Sequence, residues 1–244
     1  MLTDEQVATF RRTGHLTVAN IFTPAEVDAA ITDLDAWSSE FLGSMRYEQR
    51  AWYLEGGSDR PLLRKLDNPV HHREVFRRMA SHPKLVAIVH QLIGHGVGVF
   101  FSQVFMKPPE VGGPKPIHQD NFYFGPSDLD ATLTVWIALD EATIENGCLY
   151  YSNVHQSKIF PHVAPEGEPF NLQIPADQAR QFEMSPEPVP RGGVSFHHGN
   201  TPHQSSANRS PSPRRAAAFH YLLNSARLAD SGLNYDASLS VPIG

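Results

Sequence analysis

Thr132-Leu133-Thr134-Val135-Trp136-Ile137-Ala138-Leu139 is the stretch whose reading decides the fold. On an extended backbone Leu133, Val135, Ile137 and Leu139 point one way, and Thr132, Thr134, Trp136 and Ala138 the other. This alternation predicts a strand with one apolar face. Residues 97–106 are rich in Val and Phe, as strands are. Residues 193–197 and 216–223 are further strand candidates.

Upstream of Gly94 the period is 3.6, not 2. Thr3-Asp4-Glu5-Gln6 and Thr23-Pro24-Ala25-Glu26 carry capping-box starts, the second with Pro at the first helical position. Val27, Ala30, Ile31 and Leu34 then share one helix face, as do Leu85, Ile88, Val89 and Leu92. Helices followed by short strands predict a mainly β, α+β chain with an antiparallel sandwich or barrel. We expect one domain over residues 1–244, helical to about 94 and β from about 95 to 225. Residues 156–191 hold seven prolines, which predicts a lid or insert.

Composition narrows the chemistry. The 244 residues contain 13 His and one Cys. Cys148 alone makes neither a disulfide nor a thiolate cluster, so a metal site must use imidazole and carboxylate. A net charge of −6 with 19% charged residues leaves no basic face for nucleic acid. No apolar run reaches the length of a membrane span, and the N-terminus lacks the pattern of a signal peptide. The expectation is a soluble, cytoplasmic protein with a small-molecule substrate. Oligomeric state is not readable.

The sharpest local motif is Ile117-His118-Gln119-Asp120. Residues two apart on a strand share a face, so His118 and Asp120 could grip one metal. Alone, the pair fits a surface pair at a strand end equally well. Chance supplies about one His-X-acid triplet in such a chain, and a second, His72-Arg73-Glu74, lies in a helical-looking stretch where the two side chains diverge. Downstream, Thr201-Pro202-His203-Gln204-Ser205 precedes Arg214-Arg215 and a strand. His203 would complete a two-His-one-carboxylate triad with open positions, as oxygen-activating iron requires. Arg214 could reach the same cavity and bind a carboxylate, although a solvated basic strand end reads equally well.

His118-Gln119-Asp120, Trp136, Asn146-Gly147-Cys148-Leu149, and His203 through Arg214, with Pro108-Pro109 ahead, together resemble the phytanoyl-CoA dioxygenase family. The resemblance runs from about residue 63 to 222. It implies a double-stranded β-helix, or jelly roll, and a dioxygenase using iron(II), 2-oxoglutarate and O₂. His118, Asp120 and His203 match the metal ligands. Arg214 matches the anchor of the cosubstrate's distal carboxylate, and Trp136, Gln119 and Ser205 match further cosubstrate contacts. Lys65 looks like an upstream cosubstrate lysine, and Gln103 takes a position often held by Met. Asn153-Val154-His155 departs from the family's Gly-Ser/Thr-His.

Asn121, Phe122 and Tyr123 are expected at the substrate channel, with His220 a further substrate-facing candidate. His197, His198 and His220 share strand context with the site, so one of them could support a ligand. His15, His71, His72, His82, His90, His95 and His162 are expected at the surface or as caps. Having Asp120, where halogenating relatives carry a small residue, implies hydroxylation, desaturation or ring formation on a small metabolite. An acyl-CoA hydroxylase, a cupin-type metalloenzyme without 2-oxoglutarate and a non-catalytic binding module are the alternatives.

Overall fold

A computed structural model describes residues 1–56, 60–164 and 171–243. Helix α1 (Asp4–Thr13) starts on the predicted capping box: Thr3 Oγ1 accepts from the Gln6 N–H. Strand β1 (His15–Val18) follows. Helix α2 (Pro24–Ser44) is capped by Thr23 and Glu26 in the same way. The helices α3 (Arg50–Tyr53), α4 (Pro69–His72), α5 (Glu74–Ala80) and α6 (Pro83–Ile93) surround the short strand β2 (Lys65–Asp67). Gly94, at φ 106°, ends α6 where a side chain would be strained.

The β part comprises β3 (Val97–Lys107), β4 (Lys115–His118), helix α7 (Asp120–Phe124), β5 (Thr132–Ala138) and β6 (Leu149–Ser152). It continues with helix α8 (Ala176–Ala179), β7 (Met184–Glu187), β8 (Val194–His198), β9 (His203–Ser205), β10 (Arg214–Leu223) and β11 (Val241–Ile243). Two antiparallel sheets result. The larger runs β1-β8-β5-β10-β3-β11, with β2 also on β3, and the smaller runs β4-β9-β6-β7. This is the α+β, double-stranded β-helix arrangement that the sequence predicts.

Strand β5 shows how the fold makes a site. Leu133, Val135 and Ile137 enter an apolar cluster with Val27 and Leu34 of α2, Phe76 of α5 and Leu85 and Ile88 of α6. Trp136 and Ala138 face the smaller sheet and pack with Leu149 and Tyr151. Both faces are covered, so every β5 residue is buried. Strand β10 behaves alike: Ala217, Phe219 and Tyr221 join the helical core, while its even-numbered residues face the other sheet. Ala218, opposite Trp136 on one side and Gln103 on the other, is too small to fill that space.

Three expectations change. Asp120 does not continue the strand of His118: β4 ends at His118 and Asp120 begins α7. Gln119 stays extended between them (φ −121°, ψ 134°), so the two side chains still share a side. Residues 156–191 are not all loop. β7 pairs with β6, a short edge strand that accommodates Pro186. Residues 165–170 of this stretch lie outside the described residues. Arg73, extended, splits the helix expected around His72 and donates to Asp33 instead. Among the described residues, no helix is long and apolar enough to cross a membrane.

Candidate functional site

His118 ends β4 and His203 begins β9, and the two residues are register partners. Their rings lie 4.2 Å apart. Each Nδ1 sits on a carbonyl: His118 on Pro116 O at 2.8 Å, His203 on Thr201 O at 3.0 Å. A carbonyl only accepts, so each Nδ1 carries the proton and each Nε2 presents a lone pair. Both Nε2 atoms lie 3.7 Å from Asp120 Oδ1. That is too long for a hydrogen bond and suits two groups sharing an ion.

The other carboxylate oxygen is occupied. Thr134 Oγ1 donates to Asp120 Oδ2 at 2.6 Å, and His197 Nε2 reaches it at 3.1 Å. Tyr151 O–H, 2.9 Å from His197 Nδ1, orients that imidazole. Oδ1 therefore faces the two imidazoles with no hydrogen-bond donor among the described residues. His118, Asp120 and His203 form a buried group whose ligand atoms all lie within 4.8 Å of one another.

Electrostatics agree with this arrangement. Burial first, and the neighbouring imidazoles next, push His118 well below its usual range and His203 down to about 4. Both stay neutral, as metal ligands must. Burial would raise the Asp120 carboxyl, but His203 and the hydrogen bond from His197 outweigh it and hold the group well below the usual carboxylate range. Two neutral nitrogens and one free anionic oxygen suit a divalent iron-type ion.

The triad opens into a cavity of about 940 Å³ between the sheets. Arg214 lines it with its guanidinium 5.3 Å from the Trp136 ring. It is 3% exposed, and its Nε and Nη1 have no hydrogen-bond partner among the described residues. Asp140 acts on it only from a distance, without an ion pair among the described residues, and a buried cation so placed favours an anion from elsewhere. Burial lowers Arg214 to about 10, so it remains charged near neutral pH.

Trp136, Ser205, Tyr123 and His220 also line this cavity. Tyr123 packs edge-on against His118 at 5.9 Å. His220 Nδ1 is 2.9 Å from Thr134 Oγ1, whose only proton goes to Asp120. His220 must therefore donate there, which leaves its Nε2 as an acceptor. Lys65 and Gln103 line the cavity too, but both end on Asp67, at 3.1 and 2.7 Å.

Three expected contacts lie elsewhere. Gln119 is fully buried outside the cavity. Its amide donates to Lys158 O and Asn200 O, and its Oε1 accepts from Phe160 N–H. Lying between His118 and Asp120 on extended backbone, it must point away from them. Asn121 is tied to Leu129 O, Asn200 and Thr132. Phe122 stacks on His162 at 4.0 Å. Of the histidines expected at the surface, His15 stacks on Tyr151 at 4.5 Å and is half-buried.

Sequence reasoning left Thr134 and Lys107 without a role. Thr134 is on the inward face of the alternation already read, and Lys107 continues the parity of Phe101, Gln103 and Phe105. A second group, His155, His198 and Asp130, also brings its ligand atoms within 4.8 Å.

Facing sheets around a two-His-one-carboxylate centre define a non-haem metal oxygenase. The family model for phytanoyl-CoA dioxygenase matches residues 10–216, and the chain belongs to that family, within the iron- and 2-oxoglutarate-dependent oxygenases. "Phytanoyl-CoA dioxygenase domain-containing protein 1" of Danio rerio is 26% identical over 91% of this chain and 90% of its own length. A "probable alpha-ketoglutarate-dependent hypophosphite dioxygenase" of Stutzerimonas stutzeri is 28% identical over 89% of this chain and 77% of its own. The crystal structure of the non-haem α-ketoglutarate-dependent carbocyclase SnoK from nogalamycin biosynthesis has the same fold, with a TM-score of 0.79 at 23% identity, covering 100% of this chain and 97% of that one.

Proposed function

We propose that this oxygenase holds iron(II) through His118 Nε2, Asp120 Oδ1 and His203 Nε2, anchors 2-oxoglutarate on Arg214, and oxidises an unactivated C–H of a small metabolite. The observation that carries this reading is the preset triad beside a buried guanidinium whose Nε and Nη1 find no hydrogen-bond partner among the described residues. Iron(II) with 2-oxoglutarate and O₂ supplies the oxidising power, releasing succinate and CO₂.

The chain's residues supply the rest. Pro116 O and Thr201 O fix the imidazole tautomers. Thr134 and His197 hold Asp120 so that one oxygen remains free. Arg214 and Ser205 position the cosubstrate, with Trp136 as the wall beneath it. Phe101 and Phe124 pack on His220, and Tyr235 packs on both, which makes an apolar wall on that side. The Nε2 acceptor of His220 suits a substrate hydroxyl or amine.

A cavity of this size takes a metabolite together with the cosubstrate. The oxidation expected is hydroxylation, desaturation or ring formation. Arg50 and Arg64 line the same cavity, which favours an acyl-CoA with its phosphates as the second reading.

The test is anaerobic addition of 2-oxoglutarate to the iron(II)-loaded protein. A visible charge-transfer band is expected, and it should be lost in His203→Ala. No band in the unaltered protein would favour the cupin-type alternative. A succinate-release screen over free metabolites and acyl-CoAs then identifies the substrate class.

A further inference from the structure

One buried cation has no part in the reading so far. Lys107 ends β3 as the register partner of Arg214 on β10. Lys107 is 6% exposed and Arg214 3%. Like charges facing each other away from water repel, and the arrangement persists only if something offsets it. Among the described residues, no carboxylate makes an ion pair with either. Asp140 is taken by Arg215, which reaches both of its oxygens, at 2.8 and 2.9 Å.

The hydrogen bonds sharpen the point. Lys107 Nζ donates to Ser205 Oγ at 2.8 Å and to the Ser206 carbonyl. An ammonium has three protons, so one is left over. Ser205 Oγ accepts from Lys107, and its own O–H remains to be given. Arg214 contributes N–H groups with no partner. Lys107, Ser205 and Arg214 line the cavity that holds the metal triad. This corner presents two cationic donors; Glu55 acts on Lys107, and Asp140 on Arg214, only at longer range, without an ion pair among the described residues.

The corner is also built to hold the lysine. A Cβ at Gly112 would fall 2.6 Å from Lys107 Cβ, and one at Gly147 3.1 Å from its Cδ. Two glycines thus make the slot for the Lys107 stem, and Gly147, at φ 91°, adopts a backbone conformation that favours glycine.

We infer that Lys107 is a second cationic anchor for the distal carboxylate of the cosubstrate, acting beside Arg214 and selecting 2-oxo dicarboxylates over 2-oxo monocarboxylates. The inference rests on the 2-oxoglutarate reading of this site. Burial, and then the charge of Arg214, push the Lys107 amine down to about 6 against the pull of Glu55. A carboxylate bound between Lys107 and Arg214 raises it again, so Lys107 is the cation this inference needs when the cosubstrate is bound.

The test is calorimetric titration of the manganese(II)-loaded protein with 2-oxoglutarate and, separately, with 2-oxopentanoate, which lacks the distal carboxylate. Lys107→Met should weaken 2-oxoglutarate about tenfold or more and leave 2-oxopentanoate within about twofold. Lys107→Gln keeps a donor for the Ser206 carbonyl and serves where the Met variant fails to fold. Equal losses for both acids, or no loss for 2-oxoglutarate, overturn the inference, because a merely structural lysine behaves in those ways. So does an unaltered protein that prefers 2-oxoglutarate by less than about tenfold. An unaltered protein that binds neither acid removes the oxygenase reading and this inference with it.

Discussion

Two clusters in this molecule contain the same residue types. His118, His203 and Asp120 line the cavity, while His155, His198 and Asp130 lie nearer the surface. Distance alone does not separate them, but the proton on each imidazole does. In the first cluster both Nδ1 atoms donate to carbonyls, and both Nε2 lone pairs are free. In the second, His198 Nδ1 accepts from the Asn200 N–H at 3.0 Å. Its Nε2 must then carry the proton, which goes to Asp130 Oδ1 at 3.1 Å. No lone pair of His198 is left for an ion. The partner of the remote ring nitrogen decides whether a histidine is a ligand or a donor.

The sharpest way to break this contrast is to remove one histidine from each cluster. His203→Ala should cut iron retention and 2-oxoglutarate-dependent succinate formation by more than about 100-fold. His198→Ala should leave both within about threefold. Metal analysis of the two purified variants checks this, and equal iron loss would erase the distinction.

The next largest effect concerns how Asp120 is held. Thr134→Val keeps the shape of the side chain and removes the donor to Asp120 Oδ2. Iron(II) affinity should fall about 10- to 100-fold, read by competition with a chelator. Asp120→Asn should be more severe, because an amide is a poor substitute for the anionic oxygen facing the two imidazoles.

Gln119 tests how a residue between two ligands can stand apart from the site. Gln119→Leu leaves its buried backbone partners unsatisfied and should lower stability by about 1–3 kcal/mol. The 2-oxoglutarate dissociation constant of the folded variant should match the parent. A selective loss of 2-oxoglutarate binding with unchanged stability would return Gln119 to the cosubstrate site. Smallest of all should be Asp130→Asn. The Asp130 side chain is 83% exposed and His198 is neutral, so their contact is a solvent-exposed hydrogen bond, worth less than about 1 kcal/mol. A chemical denaturation curve measures it.

The strands and the capped helices were legible because each rests on local periodicity or short spacing, whereas His203 and Arg214, far from His118 in the chain, were linked to it through the family resemblance. The two faces of β5 follow directly from the alternation of 132–139. The alternation rule also contains the reason Gln119 leaves the site, since it lies between two residues that share the opposite face. What the sequence could not carry was the choice of hydrogen-bond partner across strands. Nothing local in Thr134 tells that its hydroxyl meets Asp120, and nothing local in Lys65 tells that it turns onto Asp67. Lys107 was hidden for the same reason: its significance comes from Arg214, more than a hundred residues away in the chain.

Strand β10 separates two kinds of evolutionary change. Ala217, Phe219 and Tyr221 hold the strand to the helical core, so substitutions there are paid for in folding. Ala218, one position from two of these anchors, borders the cavity. A change at Ala218 acts first on the cavity wall beside Trp136, while its neighbours keep the strand on the helical core. A lineage could therefore change which molecules enter the cavity without first acquiring spare stability.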